Sequence, residues 1–498
     1  RTARGAGTGR GGGPLNAHFR RTFYLIVAGF VGLVVMMAYW QVYARESLAN
    51  NPENGFQTQR AIESPRGLIL AGDGETVLAR SEKRQGISGP IYERVYPEGA
   101  PFTGVVGYWS TRYGATGIEI GNNTDLSSVA GDPDTLDELI NRTTGGPQRG
   151  NDVTLTLDPD LQRQAYESLA ASPTQRGSAM AINPKTGEIL ALATYPSFDN
   201  NNIDETLPEL SQDENAPLIN RATQSLYPPG STFKVITSAA ALKAGVQPSD
   251  EFFDPGTYET AGLTVTNYQG KDYGKLTFAE ALAFSVNVIF AKIAIFEVGP
   301  ELLSETATDF GYGDPYDDFP LPVSGSDLGY PVEQWVDGNT AQISFGQDRV
   351  SSNVFEMALV AATVANGGTM MEPRIVREIR SPDGIILDRP SPSVRNDVLD
   401  GPTAGTLNAM MQNVITTGQL TEAEVSGVKV AGKTGTAEDP PREPHSWFVS
   451  FAPADDPEIA VAVMVENGGA IDAEGNAATP AIPIAQDLME THLRDGGG

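Results

Sequence analysis

From Thr22 to Ala44 the chain carries no charged side chain, and Phe23-Tyr-Leu-Ile-Val-Ala-Gly-Phe30 through Met36-Met-Ala-Tyr-Trp40 is apolar almost throughout. About 20 such residues wound as a helix cross a hydrocarbon core of roughly 30 Å, which predicts a single transmembrane helix at 22–44. Tyr39, Trp40 and Tyr43 suit the far interface, where amphipathic rings settle at headgroup level. Arg1, Arg4, Arg10, Arg20 and Arg21 precede the run, and no acidic residue appears before Glu46. Such an arginine cluster is retained in the cytoplasm, so residues 1–21 are expected as a cytoplasmic tail and everything after Arg45 outside. A cleaved signal peptide and a buried core helix are the alternatives. The stretch is too long for a signal core, and no clear small-x-small cleavage site follows it. The Gly-rich start to Gly13 is set aside from fold reasoning.

The absence of cysteine excludes disulfide scaffolds, thiol catalysis and Cys-ligated metal sites. His18, His445 and His492 are the only histidines, too few for a multi-His metal site and a poor basis for a Ser-His-Asp triad. The 34 basic and 63 acidic residues leave a net charge of −29, which repels polyanions and argues against nucleic acid as a partner.

Residues 45–150 read as a small β-rich pedestal. Gly67-Leu-Ile-Leu70, Val77-Leu-Ala79 and Val105-Val-Gly-Tyr108 are short apolar runs broken by Gly, Pro and Asp, suggesting strands and loops without a helix-period core. Gly145-Gly-Pro-Gln-Arg-Gly150 marks a linker. Residues 151–495 read as a more regular α+β region. There Ser178–Ile182, the turn Asn183-Pro-Lys-Thr-Gly187 and Glu188–Ala193 predict a hairpin. Val428–Ala431, Ser446–Phe451 and Ile459–Val465 predict three more strands, while Phe233–Ala244, Phe278–Phe290 and Phe355–Ala365 carry helical patterns.

The chemistry concentrates in this region. Tyr227-Pro-Pro-Gly-Ser-Thr-Phe-Lys234 places a serine where a Pro-Gly turn passes into a helix, with Lys234 one turn along on the same face. Helix-end N–H groups hold a developing oxyanion, and the same positive end, with burial, disfavours a charged amine. A neutral Lys234 is therefore a base for a Ser231 nucleophile activated without histidine. Ser-x-x-Lys alone is weak evidence, since it recurs at Ser426-Gly-Val-Lys429. Ser285-Val-Asn287, inside the helical-looking run 282–290, and Lys433-Thr-Gly-Thr436, at a strand end, follow in order. Alone, Ser285 and Asn287 read as polar helix residues satisfied locally, and Lys433 as a solvated strand-end lysine. Ser351-Ser-Asn353 is a second Ser-x-Asn match with a more polar start, so Ser285 is preferred.

A rival pattern overlaps this one. Gly427-Val-Lys-Val-Ala-Gly-Lys-Thr434 matches the phosphate loop of nucleotide-binding proteins. That loop must run into a helix, whereas this interior is an apolar strand followed by Pro440, Pro441 and Pro444, so the reading is disfavoured. Gly7-Thr-Gly-Arg-Gly-Gly12, a dinucleotide-fingerprint match, lies in low-complexity sequence and carries no weight. His445 reads as strand-entry packing, and Glu466 as a solvated or locally paired acid.

Ser-x-x-Lys, Ser-x-Asn and Lys-Thr-Gly occur together in penicillin-binding proteins and serine β-lactamases. The chain resembles a class B penicillin-binding protein, a peptidoglycan D,D-transpeptidase. Ser64-Pro-Arg-Gly-Leu-Ile69, Tyr113-Gly-Ala-Thr-Gly-Ile-Glu119, Leu155–Gln162, Asn183–Leu190, Pro196-Ser-Phe-Asp199, Asn220-Arg-Ala-Thr223 and His445-Ser-Trp-Phe448 are similar to further family segments. The short pedestal, Tyr96-Pro97 and Val106-Gly-Tyr108 look most like the actinobacterial penicillin-binding protein A group. Gly346-Gln-Asp348 and Ser351-Ser-Asn353 depart from the usual Gly-Gln-Gly and Thr-Pro-x.

The resemblance implies a dimerisation-like pedestal and a serine β-lactamase-like domain, an antiparallel sheet flanked by helices. It implies Ser231 as nucleophile, Lys234 as base, Ser285 as proton relay, Asn287 as substrate and lysine anchor, and Lys433 as a cation beside the cleft. Thr434, Gly435 and Thr436 would bind substrate, the threonines taking its terminal carboxylate, and the N–H groups of Ser231 and Thr436 would form an oxyanion hole. Expected partners are D-Ala-D-Ala stem peptides, β-lactams and a membrane glycosyltransferase of the shape, elongation, division and sporulation type. No cofactor or metal is implied. A membrane-anchored β-lactamase and a β-lactam-sensing receptor remain as alternatives.

Overall fold

The computed structural model describes residues 15–39, 62, 64–86, 89–127, 149–418, 420–470 and 478–495. Two compact units divide the chain, 1–60 and 61–498. In the first, Leu15–Ala38 forms one helix. Its segment Phe19–Met37, with mean hydropathy 1.6, is long and apolar enough to cross a membrane, and its apolar side chains stand exposed. The helix begins inside the stretch assigned to the tail. Arg1, Arg4, Arg10, Trp40, Tyr43 and Arg45 lie outside the described residues, as does 145–148 of the expected linker.

The second unit is built on two sheets. A six-stranded sheet runs in the order Ile386–Asp388, Val376–Arg380, Asp152–Leu155, Ile69–Leu70, Val77–Gln85, Pro90–Val95. Asp152–Leu155 pairs parallel with Ile69–Leu70 and antiparallel with Val376–Arg380, so one sheet joins the pedestal strands to a strand far along the 151–495 region. The two regions expected from sequence thus share a sheet and a hydrophobic core, in which Ile69, Phe102 and Val105 belong to the same cluster as Phe233 and Ile289. The pedestal also contains a helix, Ala100–Val106, where strands and loops were expected. Pro101 in its first turn has a ring already set for helical φ, and Phe102, Val105 and Val106 bury one face. Two segments quoted for the family resemblance meet here. Glu119, fully buried, takes Arg66 Nε at 2.9 Å and Arg94 Nε at 2.6 Å.

The second sheet is antiparallel, in the order Ala431–Asp439, Arg442–Ala452, Ile459–Val465, Gly177–Ile182, Ile189–Tyr195. Side chains alternate between its faces, so Val461, Val463 and Val465 pack with Leu161, Leu169 and Leu488 of helices Pro159–Ala170 and Ala481–Asp495. Ala460, Ala462 and Met464 face Ile236, Val360 and Met411 of helices Lys234–Lys243, Val354–Ala365 and Gly401–Thr416. Burial on both faces explains why Ile459–Val465 is continuously apolar. The strand expected at 428–431 begins only at Ala431.

Candidate active site

The site lies where the edge strand Ala431–Asp439 meets the start of the helix that carries Ser231 and Lys234. Gly230–Phe233 forms a 3-10 turn that continues into Lys234–Lys243. Gly230 sits at φ +54°, and its N–H donates to Gly346 O at 3.0 Å. A Cβ on Gly346 would lie 2.2 Å from Gly230 O, so backbone meets backbone here and no larger residue fits. Gly435 serves the strand in the same way, since an added Cβ would lie 2.9 Å from Thr232 Cγ2 and 3.0 Å from Pro229 O. These close approaches set Ser231 against Lys433–Thr436.

Lys234 is fully buried at the centre of the site. Its Nζ lies 2.7 Å from Ser285 O, 2.7 Å from Asn287 Oδ1, and 3.1 Å from both Ser231 Oγ and Ser285 Oγ. A neutral amine has two N–H donors and one lone pair. The two shortest contacts are to carbonyl oxygens, which only accept, so they take both donors and leave the lone pair toward the hydroxyls. Burial above all, and then the nearby Lys433 charge, hold the Lys234 pKa far below the ordinary lysine range. The Phe290 ring, 5.3 Å from Nζ, helps keep that side of the amine dry.

The helical run expected across Phe278–Phe290 is broken. Phe278–Ala283 ends, Ser285 turns at φ +58°, and Asn287–Ile293 begins a new helix. This break brings both the carbonyl and the hydroxyl of Ser285 onto Lys234, which an unbroken helix would prevent because its carbonyls point along the axis. Asn287 Nδ2 donates to Thr266 O at 3.1 Å, which fixes the amide with Oδ1 toward Lys234.

Lys433 is no solvated strand-end lysine. It is fully buried, with Nζ 3.0 Å from Ser285 Oγ and 2.9 Å from Thr434 O, and burial lowers its pKa to about 7. Ser285 Oγ thus lies within hydrogen-bond distance of two lysines. Thr434 and Thr436, two residues apart on the edge strand, are partly exposed. All eight residues singled out from sequence are therefore in one neighbourhood. Sequence reasoning missed Phe290, Thr266 and Gly346; of these only the Gly-Gln-Asp segment carried a signal.

The decoys separate cleanly. Lys429 is 65% exposed and pairs with Asp455 at 2.9 Å. Asn353 caps helix Val354–Ala365 by accepting from Glu356 N at 2.8 Å. Gly432, Lys433 and Thr434 continue as strand, so the helix a phosphate loop requires does not form. His445, 5% exposed, accepts from Asn467 N at 3.0 Å and packs edge-on against Tyr227. Glu466 is buried, paired with Arg221 at 2.9 Å and Arg176 at 2.8 Å, and so is not a solvated acid.

Comparison with known proteins identifies the family. Residues 177–490 match the penicillin binding protein transpeptidase domain, and 66–153 the penicillin binding protein A dimerisation domain. The chain is 34% identical to the peptidoglycan D,D-transpeptidase PbpA of Mycolicibacterium smegmatis, over 97% of this chain and 100% of that one. It is 33% identical to PbpA of Mycobacterium tuberculosis, over 96% and 99%. The crystal structure of PBPA from M. tuberculosis superposes with a TM-score of 0.79 at 31% identity, covering 86% of this chain and 100% of that one. Its imipenem acyl-enzyme complex gives 0.80 at 32% identity, covering 87% and 100%. By sequence and by fold, the chain belongs to the penicillin-binding protein transpeptidase family.

Proposed function

We propose that this chain is a peptidoglycan D,D-transpeptidase that cross-links stem peptides through a Ser231 acyl-enzyme. The observation that carries the reading is the Lys234 amine, buried, with two carbonyl acceptors at 2.7 Å and its lone pair toward Ser231 Oγ. Lys234 takes the Ser231 proton as Oγ attacks the carbonyl of the penultimate D-Ala. Ser285, between Lys234 and Lys433, passes a proton to the departing amine of the terminal D-Ala. An amine from a second stem then attacks the ester, loses a proton by the reverse route, and frees Ser231. The N–H groups of Ser231 and Thr436 receive the oxyanion. Thr434 and Thr436 hold the terminal carboxylate, Lys433 supplies a nearby positive charge, and Gly435 keeps the strand close to Ser231.

β-Lactams imitate the acyl donor and leave Ser231 acylated. The apolar N-terminal helix anchors the chain in the plasma membrane, with its arginine-rich end cytoplasmic and the catalytic region outside. A separate membrane glycosyltransferase supplies the glycan strands. Penicillin followed by intact-mass and peptide measurement tests the reading. A lasting adduct on the Ser231 peptide, absent from Ser231→Ala, is expected. Rapid release indicates a β-lactamase, and a lasting adduct without cross-linking of lipid-linked peptidoglycan indicates a receptor.

A further inference from the structure

The segment between the nucleophile helix and Ser285 folds as two hairpins, Glu251–Asp254 with Gly274–Thr277 and Thr257–Thr260 with Leu263–Thr266. The second delivers Thr266 and Asn267 to the Ser285 turn. Helix Asn287–Ile293 starts after Val286, which has no side chain able to cap it. Asn267, from this separate segment, provides the missing acceptor, its Oδ1 receiving Val288 N at 3.0 Å. Asn267 Nδ2 donates to Lys271 O at 2.8 Å and Asp254 Oδ2 at 2.7 Å. Asp254, fully buried, also accepts from Gly256 N and Tyr273 N, each at 3.0 Å. Next to Asn267, Thr266 O holds Asn287 Nδ2. An unbroken series of contacts therefore leads from the Asp254 carboxylate through Asn267 and Thr266 to the Asn287 amide and Lys234.

We propose that Asp254 and Asn267 are positioning residues for the reaction, fixing the Ser285–Asn287 turn so that Asn287 Oδ1 stays on the catalytic lysine; this rests on the roles given above to Ser231 and Lys234. The charged group facing Asp254 is Lys292, whose burial-lowered pKa the Asp254 carboxylate partly restores, and the charge facing Lys234 is Lys433, which lowers the Lys234 pKa further. Neither Asp254 nor Asn267 contacts the reacting atoms.

The test is the pH dependence of penicillin acylation in the detergent-solubilised chain, for wild type, Asn267→Ala, Asp254→Asn, and Lys275→Ala as a control on the same hairpins. With its clamp removed, the Asn287 amide rotates away, and the plateau acylation rate of Asn267→Ala is expected to fall about tenfold to a hundredfold. A carbonyl acceptor favours the ammonium more than the amine, so its loss moves the acid limb toward lower pH. General loosening would instead admit water and move the limb toward higher pH. Noncovalent affinity, the first step of binding, should fall less than the acylation rate, because the Thr434–Thr436 edge is untouched and only the Asn287 contact to the substrate is disturbed. Lys275→Ala should match wild type. Wild-type rate and limb in Asn267→Ala, a limb displaced upward, or a loss confined to noncovalent affinity overturns the proposal. Labelling of Ser231→Ala would instead sink the parent reading.

Discussion

Glu356 lies in the first turn of helix Val354–Ala365 and is 1% exposed. Its carboxyl accepts from Tyr316 OH at 3.0 Å, and burial raises its pKa from 4.5 to about 8, against smaller opposing effects of the Tyr316 hydrogen bond and Arg395. The unfolded chain ionises this acid near pH 4.5, while the folded chain keeps it protonated until about pH 8. Between those limits the folded state binds more protons, so stability falls as pH rises, by about 1.4 kcal/mol per pH unit. The sum reaches about 5 kcal/mol at pH 8 and above, an upper bound because water entry on relaxation relieves part of it. Glu356→Gln keeps the shape and an acceptor for Tyr316 but cannot ionise. The variant should match wild type near pH 4.5 and be the more stable by at least about 2 kcal/mol at pH 8. Urea unfolding of both chains in the same detergent, from acid to mild alkali, provides the comparison. A stability difference that does not vary with pH, or a variant no more stable than wild type at pH 8, refutes the reasoning. The consequence reaches the site, because Ser352 just before this helix pairs with Tyr227 of the nucleophile segment, with Tyr227 N donating to Ser352 O at 2.9 Å.

Burial holds Lys433 to about 7, so its charge is present below that pH and lost above it. The KM for a D-Ala-D-Ala peptide bearing a free carboxylate should rise through that range while an amidated peptide shows no such rise; identical profiles would contradict a carboxylate-binding role. Gly346→Ala places a Cβ against Gly230 O at φ +72° and should lower stability by more than ~1 kcal/mol and slow acylation, read by thermal unfolding and penicillin labelling. Glu466→Gln leaves Arg221 buried beside a neutral amide, and a loss of about 3–5 kcal/mol is expected in chemical unfolding; an unchanged midpoint would show that the pair contributes little.

Residue identity and order alone determined the N-terminal helix long and apolar enough to cross a membrane, the exclusion of thiol chemistry, and the ordered trio beginning at Ser231, Ser285 and Lys433. An apolar span, a missing residue type and a motif are properties of the chain itself and survive any folding. Strand Ile459–Val465 was legible for the same reason, since burial on both faces writes itself into composition as a continuous apolar run. The break at Ser285 was hidden, because the surrounding Leu282–Phe290 run has a helical pattern and the left-handed turn is stabilised by contacts with Lys234, 51 residues earlier. The place of Lys433 beside the cleft came from the motif, but its full burial was hidden, because that depends on packing and on Ser285, 148 residues away. The sheet shared by pedestal and catalytic region and the Asp254–Asn267 clamp likewise depend on pairings between distant segments. Local chemistry is encoded locally, whereas desolvation and hydrogen-bond direction, which decide whether a lysine is a base, arise only when distant segments close around it.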